Sequence, residues 1–288
     1  MDVDAHFEVQ REFFQRYRQA LLEEAEPITA ETVGTVELVL MEAEIDAARS
    51  ALKALGPPAF DPGSPHFARQ EGTTCMSTSI ANGMISLGEP FLAASPERRV
   101  PLLTSDIVQR TSAFGKPGEY RSVDDMFKYL EAGKLGEVLD SKETFSTEYT
   151  VRLTSSLIDV CHALWTGRGR LVIQRSAHAH LAFGLEVHDG VWSACWRDPM
   201  TRAGSGYTRM SLEELRQHYL WSPLKKIPRL MGPHGFPQLS AEELLGHLDR
   251  YDTMENLGVD CPSALLFRRD EAPPLFSPPE EQDDEAAS

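Results

Sequence analysis

The chain has 288 residues, 41% of them hydrophobic and 25% charged, an ordinary globular composition long enough for one sizeable core with appendages. No stretch approaches the ~20 apolar residues that cross a bilayer, and the acidic start lacks a signal peptide's basic and apolar regions, so a cytoplasmic protein without a membrane partner is expected. The net charge of −16 sits at the ends: 12 acids against 5 bases in residues 1–54, 7 acids and no base from Asp270 onward, and 25 acids against 23 bases between, which leaves no basic footprint for nucleic acid.

Residues 1–55 are expected to form a helical hairpin. Phe7, Phe14, Tyr17 and Leu21 share one helical face, and Glu26-Pro27 breaks the pattern. Leu38, Met41, Ile45, Ala48, Leu52 and Leu55 then recur at steps of three and four. That seam predicts packing on the main domain or, as a sharper reading, a homodimerising arm through residues 30–55. Residues 56–66, dense in Pro and Gly, form a linker. Helices are expected over 78–87, 106–111 and 123–130, and another over 151–165 with Leu153, Leu157, Val160 and Leu164 on one side.

The period then changes. Leu171-Val172-Ile173, residues 178–187 and residues 191–197 read as strands. His188-Asp189-Gly190 joins the last two as a hairpin turn, because Asp-Gly supplies the left-handed backbone such turns need. Ser211-Leu212-Glu213-Glu214 opens a helix capped by Ser211 and running to about Leu220, and residues 240–250 predict one more. Helices first and an antiparallel sheet late make an α+β fold. The core is set at 67–230, a C-terminal extension packed on it at 231–269, and a disordered acidic tail at 270–288.

The four cysteines, at 75, 161, 195 and 261, include no Cys-x-x-Cys pair, and a reducing compartment argues against a disulfide framework. Cys161 and Cys195 lie among apolar neighbours and read as small core residues. Cys75 differs: in Gln70-Glu71-Gly72-Thr73-Thr74-Cys75-Met76-Ser77-Thr78-Ser79-Ile80-Ala81-Asn82 it falls where a loop enters a helix. Helix-start N–H groups and the helix dipole favour a thiolate there and can hold an oxyanion. Gln70 stands a few residues upstream, where a side-chain amide adds a second donor. A thiolate nucleophile needs a base and a group to orient it. His178 and His180 share one strand face, and the hairpin folds Asp198 back toward them.

The order Gln70, Cys75-x-x-Thr78-Ser79-x-Ala81, strand His, then Asp198-Pro199 resembles the papain-like cysteine peptidase superfamily. Within it the pattern is similar to the bacterial group related to double-glycine (bacteriocin leader) peptidases, over about residues 70–221. The resemblance implies a Cys-bearing helix packed on a small antiparallel sheet carrying His and Asp. It also implies Cys75 as nucleophile, Asp198 as orienting acid and Gln70 as oxyanion donor. His178, six residues before Gly184 as in that group, is the expected base, with His180 the alternative. A cysteine-type hydrolase acting on a peptide or protein substrate is expected, with no cofactor and no metal. Met76 stands where that group has Gly, so an inactive scaffold acting as an interaction protein is the alternative. A rival from another class is zinc binding by His178 and His180 with Asp198 or Cys195.

Overall fold

The computed structural model describes residues 30–59, 61–72, 74–111, 149–153, 157–175, 178–219 and 263–268, with isolated positions before residue 30. Its helices are α1 (Ala30–Ala54), α2 (Cys75–Ser86), α3 (Pro90–Ala93), α4 (Pro96–Thr111), α5 (Leu157–Trp165) and the short α6 (Leu212–Glu214), which continues as one wide turn to Tyr219. The strands are β1 (Tyr149–Leu153), β2 (Gly169–Arg175), β3 (His178–His188), β4 (Val191–Arg197), β5 (Thr208–Ser211) and β6 (Ser263–Arg268). They form one sheet in the order β1-β6-β2-β3-β4-β5, and every neighbouring pair is antiparallel. The α+β class holds.

The inner strands are apolar on both faces, so both faces need a cover. On one face Leu181, Phe183, Cys195 and Leu266 pack with Ile80, Ala81 and Met84 of α2 and with Val100 and Leu103 of α4. On the other, Ile173, Ala182, Leu185 and Trp196 pack with Ile45, Ala48 and Leu52 of α1 and with Val160 and Leu164 of α5. The seam on α1 is thus used within the chain: Ile45, Ala48 and Leu52 are buried, while Leu38 and Leu55 at its two ends are exposed. Glu44 fixes the helix further, accepting from the Leu157 N–H at the start of α5 (2.8 Å) and from Arg216 (2.5 Å).

Three expectations change. Residues 151–153 belong to β1, not to a helix spanning 151–165; the helix begins only at Leu157. Leu153 matched the helical spacing of Leu157 and Val160 by coincidence, while its backbone pairs with Ala264. The helix expected at 106–111 starts ten residues earlier, at Pro96, and carries Pro101 inside it, a residue that in sequence reads as a break. The stretch 231–269, set aside as an extension, ends by supplying β6, an inner strand whose Ala264, Leu265, Leu266 and Phe267 are all buried. The capping box at Ser211 and Glu214 forms as expected, and helical turns follow it to Tyr219. The first helix of the hairpin, the helices expected at 123–130 and 240–250, and the tail from 270 lie outside the described residues. Among the described residues no helix is long and apolar enough to cross a membrane.

Candidate active site

Cys75 is the first residue of α2. The preceding Thr74 does not cap the helix with its side chain. Its hydroxyl instead turns back to the Glu71 carbonyl (2.7 Å), closing the loop that carries Gly72 in a left-handed conformation (φ +58°). The first-turn N–H groups therefore carry no hydroxyl cap at the position where one usually sits, and they face the loop end of the helix.

The direction of α2 along the sheet follows from two contacts. The Ser79 hydroxyl donates to the Ala179 carbonyl (3.3 Å), and four residues on, a Cβ at Gly83 would lie 3.5 Å from Leu181 Cδ1. Four helical residues rise about 6 Å and two strand residues nearly 7 Å, so α2 and β3 run side by side in step. One turn back from Ser79, Cys75 is level with the beginning of β3, where His178 is the first residue. Ala179 and Leu181 face α2, whereas His178 and His180 alternate to the other face. Cys75 and His178 approach the same end of the strand from its two sides.

Asp198 reaches the histidines because of a bulge. From His188↔Val191 to Gly184↔Cys195 the β3–β4 ladder keeps one register, and at Phe183 it shifts by a residue, so that Ala182 faces Trp196 and Leu181 faces Arg197. Opposed residues in an antiparallel pair point to the same face. Continued by one residue, the shifted register sets Asp198 opposite His180, on the histidine face. Without the bulge Asp198 would oppose Leu181 and point toward α2. With it, His178 Nε2 lies 2.9 Å from Asp198 Oδ1, and His180 Nε2 lies 3.8 Å from the other oxygen, Oδ2. An ionised carboxylate only accepts, so in the neutral ring the short contact sets the proton on His178 Nε2 and leaves Nδ1 as the acceptor.

The Asp198-Pro199 turn is itself well held. The Thr201 N–H bonds the Asp198 carbonyl (2.9 Å), and the Met200 N–H bonds Asp198 Oδ1 (2.8 Å). Partial burial pushes the Asp198 carboxyl up. The Met200 N–H, the His178 hydrogen bond and the charges of the two imidazoles outweigh that and hold it below the ordinary carboxylate range.

Gln70 belongs to the same assembly. Its backbone N–H bonds the Pro199 carbonyl (2.8 Å), and its side-chain Nε2 donates to the Gly72 carbonyl (2.8 Å). Gln70 Oε1 is buried without a hydrogen-bond partner among the described residues, and the second Nε2 proton remains for another acceptor. Upstream, Phe67 and Gly204 exchange both backbone bonds (2.9 and 3.0 Å). Between them Asn82, fully buried on α2, grips the Ala68 backbone with both ends of its amide (2.9 and 3.0 Å). A closed circuit results: α2 to Ala68 through Asn82, Gln70 to Pro199, Asp198 to His178, and Ala179 back to α2 through Ser79.

Gln70, Cys75, His178, His180 and Asp198 thus all sit at one end of the sheet. Asn82, Ser79 and Arg197 hold them there, three residues to which the sequence alone assigns no role. A signal existed for Asn82: asparagine is a poor residue inside a helix unless its side chain has a fixed task. Arg197, with 1% of its surface exposed, threads the loop after Asp198 by donating to the carbonyls of Gly206 and Arg202, the latter at 2.7 Å. Its guanidinium also lies 5.4 Å from the centre of the Phe67 ring. Burial lowers its pKa, while the adjacent Asp198 charge favours the cation. Cys161 and Cys195 are fully buried, and burial pushes the Cys195 thiol up to about 12, as inert core thiols should behave.

A scan against protein-family models, a search of curated proteins and a search of solved structures each found no match.

Proposed function

We propose that the protein is a cysteine-type acyl hydrolase that cleaves a peptide or related amide bond. Cys75 is the nucleophile, His178 the general base and Asp198 the orienting acid. The observation that carries this reading is the 2.9 Å contact of His178 Nε2 with Asp198, which in the neutral ring leaves Nδ1 as the acceptor, at the end of the sheet that the Cys75 helix reaches. His178 Nδ1 takes the Cys75 proton, and the thiolate adds to the substrate carbonyl. The resulting oxyanion is met by first-turn N–H groups of α2 and by the Gln70 amide. His178 then protonates the departing amine, and water attacks the acyl-enzyme to release the acid and restore the thiol. His180, farther from the carboxylate at 3.8 Å and packed on the Trp196 ring, is part of the cleft wall in this reading.

The test is limiting iodoacetamide at neutral pH in the presence of a chelator, read cysteine by cysteine by mass spectrometry. Cys75 is expected to alkylate far ahead of Cys161 and Cys195, and His178→Ala to slow it by about 100-fold, the scale of a lost base. If Cys75 reacts like an ordinary exposed thiol and His178→Ala leaves the rate unchanged, the proposal falls.

A further inference from the structure

One carboxylate serves two imidazoles here, and the chemistry above needs only one of them. His178 Nε2 and His180 Nε2 address different oxygens of Asp198, at 2.9 and 3.8 Å, and the ligand atoms of all three residues lie within 4.8 Å of one another. Ligands on a tetrahedral zinc, bound at 2.0–2.1 Å, stand about 3.3 Å apart, so the His178–Asp198 contact is already near that spacing and the set, within 4.8 Å, closes on an ion by side-chain shifts of about an ångström. The rings are also held. His180 packs on Trp196 with centroids 4.9 Å apart and inclined by 30°, and the two imidazoles meet edge to face at 4.5 Å. Asp198 is oriented by the Met200 N–H, the kind of outer support that fixes a metal-binding carboxylate. The cluster is partly buried, with side-chain exposures of 27% for His178, 14% for His180 and 39% for Asp198, so an ion can enter yet is partly shielded.

We propose that His178, His180 and Asp198 bind one divalent transition-metal ion of the zinc class, and that its occupancy excludes the acyl-transfer chemistry. The binding claim stands on the three side chains alone; the exclusion claim rests on the function proposed above. Its cause is a tautomer. A metal on His178 needs the Nε2 lone pair, so the proton of a neutral ring must move to Nδ1. Nδ1 of His178 is then a donor, not an acceptor, and cannot take the Cys75 proton. No bond to carbon forms or breaks, and no redox change occurs; an imidazolium would release one proton to solvent on binding. The ion also takes the Asp198 carboxylate away from its orienting task. With three protein ligands, the fourth position is left for water, as in open zinc sites.

Two measurements test this on the full chain. Zinc is titrated by calorimetry into the wild type, Cys75→Ala, His178→Ala and His180→Ala, and cobalt is added separately to read the visible band of a four-coordinate site. One ion per chain should bind at micromolar or tighter affinity to the wild type and to Cys75→Ala. His178→Ala and His180→Ala should each weaken binding by at least about tenfold, the scale on which even outer-shell partners act. The cobalt band in Cys75→Ala, which needs no histidine variant to fold, should appear without thiolate-to-metal charge transfer. No saturable binding, or an affinity unchanged in both histidine variants, overturns the site. Zinc should also slow Cys75 alkylation in the wild type, and an unchanged rate on the zinc-bound chain overturns the exclusion. The two proposals fail separately. A Cys75 that is inert under chelator while zinc still binds removes the hydrolase and keeps the metal site; a reactive Cys75 with no zinc binding does the reverse.

Discussion

The two ends of the β3–β4 ribbon are built on different principles. At the closed end His188, Asp189 and Gly190 make the turn, with Asp189 at φ +52° and Gly190 at φ +78°. The flanking Val187 and Val191 are exposed, and the ladder continues to the last pair, His188↔Val191. Everything needed lies within a few consecutive residues. The open end has no such local device. It is assembled from three distant segments, around residues 68–82, 178–180 and 197–206, through bonds such as Ser79 to Ala179 and Gln70 to Pro199, with Asn82 to Ala68 clamping the first segment onto its helix. An end closed by local backbone preference should tolerate change without altering chemistry. An end closed by long-range hydrogen bonds should lose its geometry when any one of them goes.

Asn82 gives the largest expected effect on this contrast. Asn82→Leu keeps the branched shape but strips both partners from Ala68, a residue with no exposed surface. Leaving a buried N–H and a buried carbonyl unsatisfied should cost about 2–5 kcal/mol, read as a lowered urea midpoint, and should slow Cys75 alkylation as well. Asn82→Asp sharpens the result. It can still accept from the Ala68 N–H but sets an oxygen against the Ala68 carbonyl, so it should be destabilised too. A Leu variant with the wild-type midpoint and wild-type Cys75 reactivity would show that the open end does not depend on this clamp.

The closed end supplies the opposite case. Gly190→Val forces a β-branched residue into the left-handed region, with open space around the added Cβ, so the strain is in the backbone alone. The cost should be about 1–2 kcal/mol of stability, with Cys75 alkylating at the wild-type rate. If that rate also falls, the two ends are mechanically joined through the ribbon and the contrast breaks.

The same contrast explains what could be read in the sequence. The Asp-Gly turn, the helix start at Cys75, the cap at Ser211 and the buried thiols at 161 and 195 are local signatures, and each lies in the structure where its residues predict. The β6 strand was not legible. Ala264-Leu265-Leu266-Phe267 is a short apolar run without alternation, because an inner strand is covered on both faces. Nor was the register shift at Phe183, since a bulge leaves the residue types unchanged and alters only which face they take. Gln70, Cys75, His178 and Asp198 could be picked out one by one from their residue types and surroundings. What brings them to one end is backbone hydrogen bonding between segments more than a hundred residues apart, which composition and periodicity do not encode.

The smallest effect concerns the charge at the open end. Asp198 has a carboxyl held below its ordinary range, so its contribution to stability is fully present above about pH 4, the unfolded value, and is lost as pH falls below that through the folded value. Asp198→Asn can keep an oxygen for the Met200 N–H and for His178 but removes the charge. Between pH 4 and neutrality the wild type should therefore hold a slightly higher urea midpoint than Asp198→Asn, and the gap should close as the solution is made more acidic. With 39% of the Asp198 side chain exposed, screening by solvent keeps the gap well below the effect of losing Asn82. A gap that widened on acidification would mean that the carboxyl is more easily protonated in the folded chain than in the unfolded one. Its hydrogen bonds to His178 and Met200 would then not be what holds Asp198 in place.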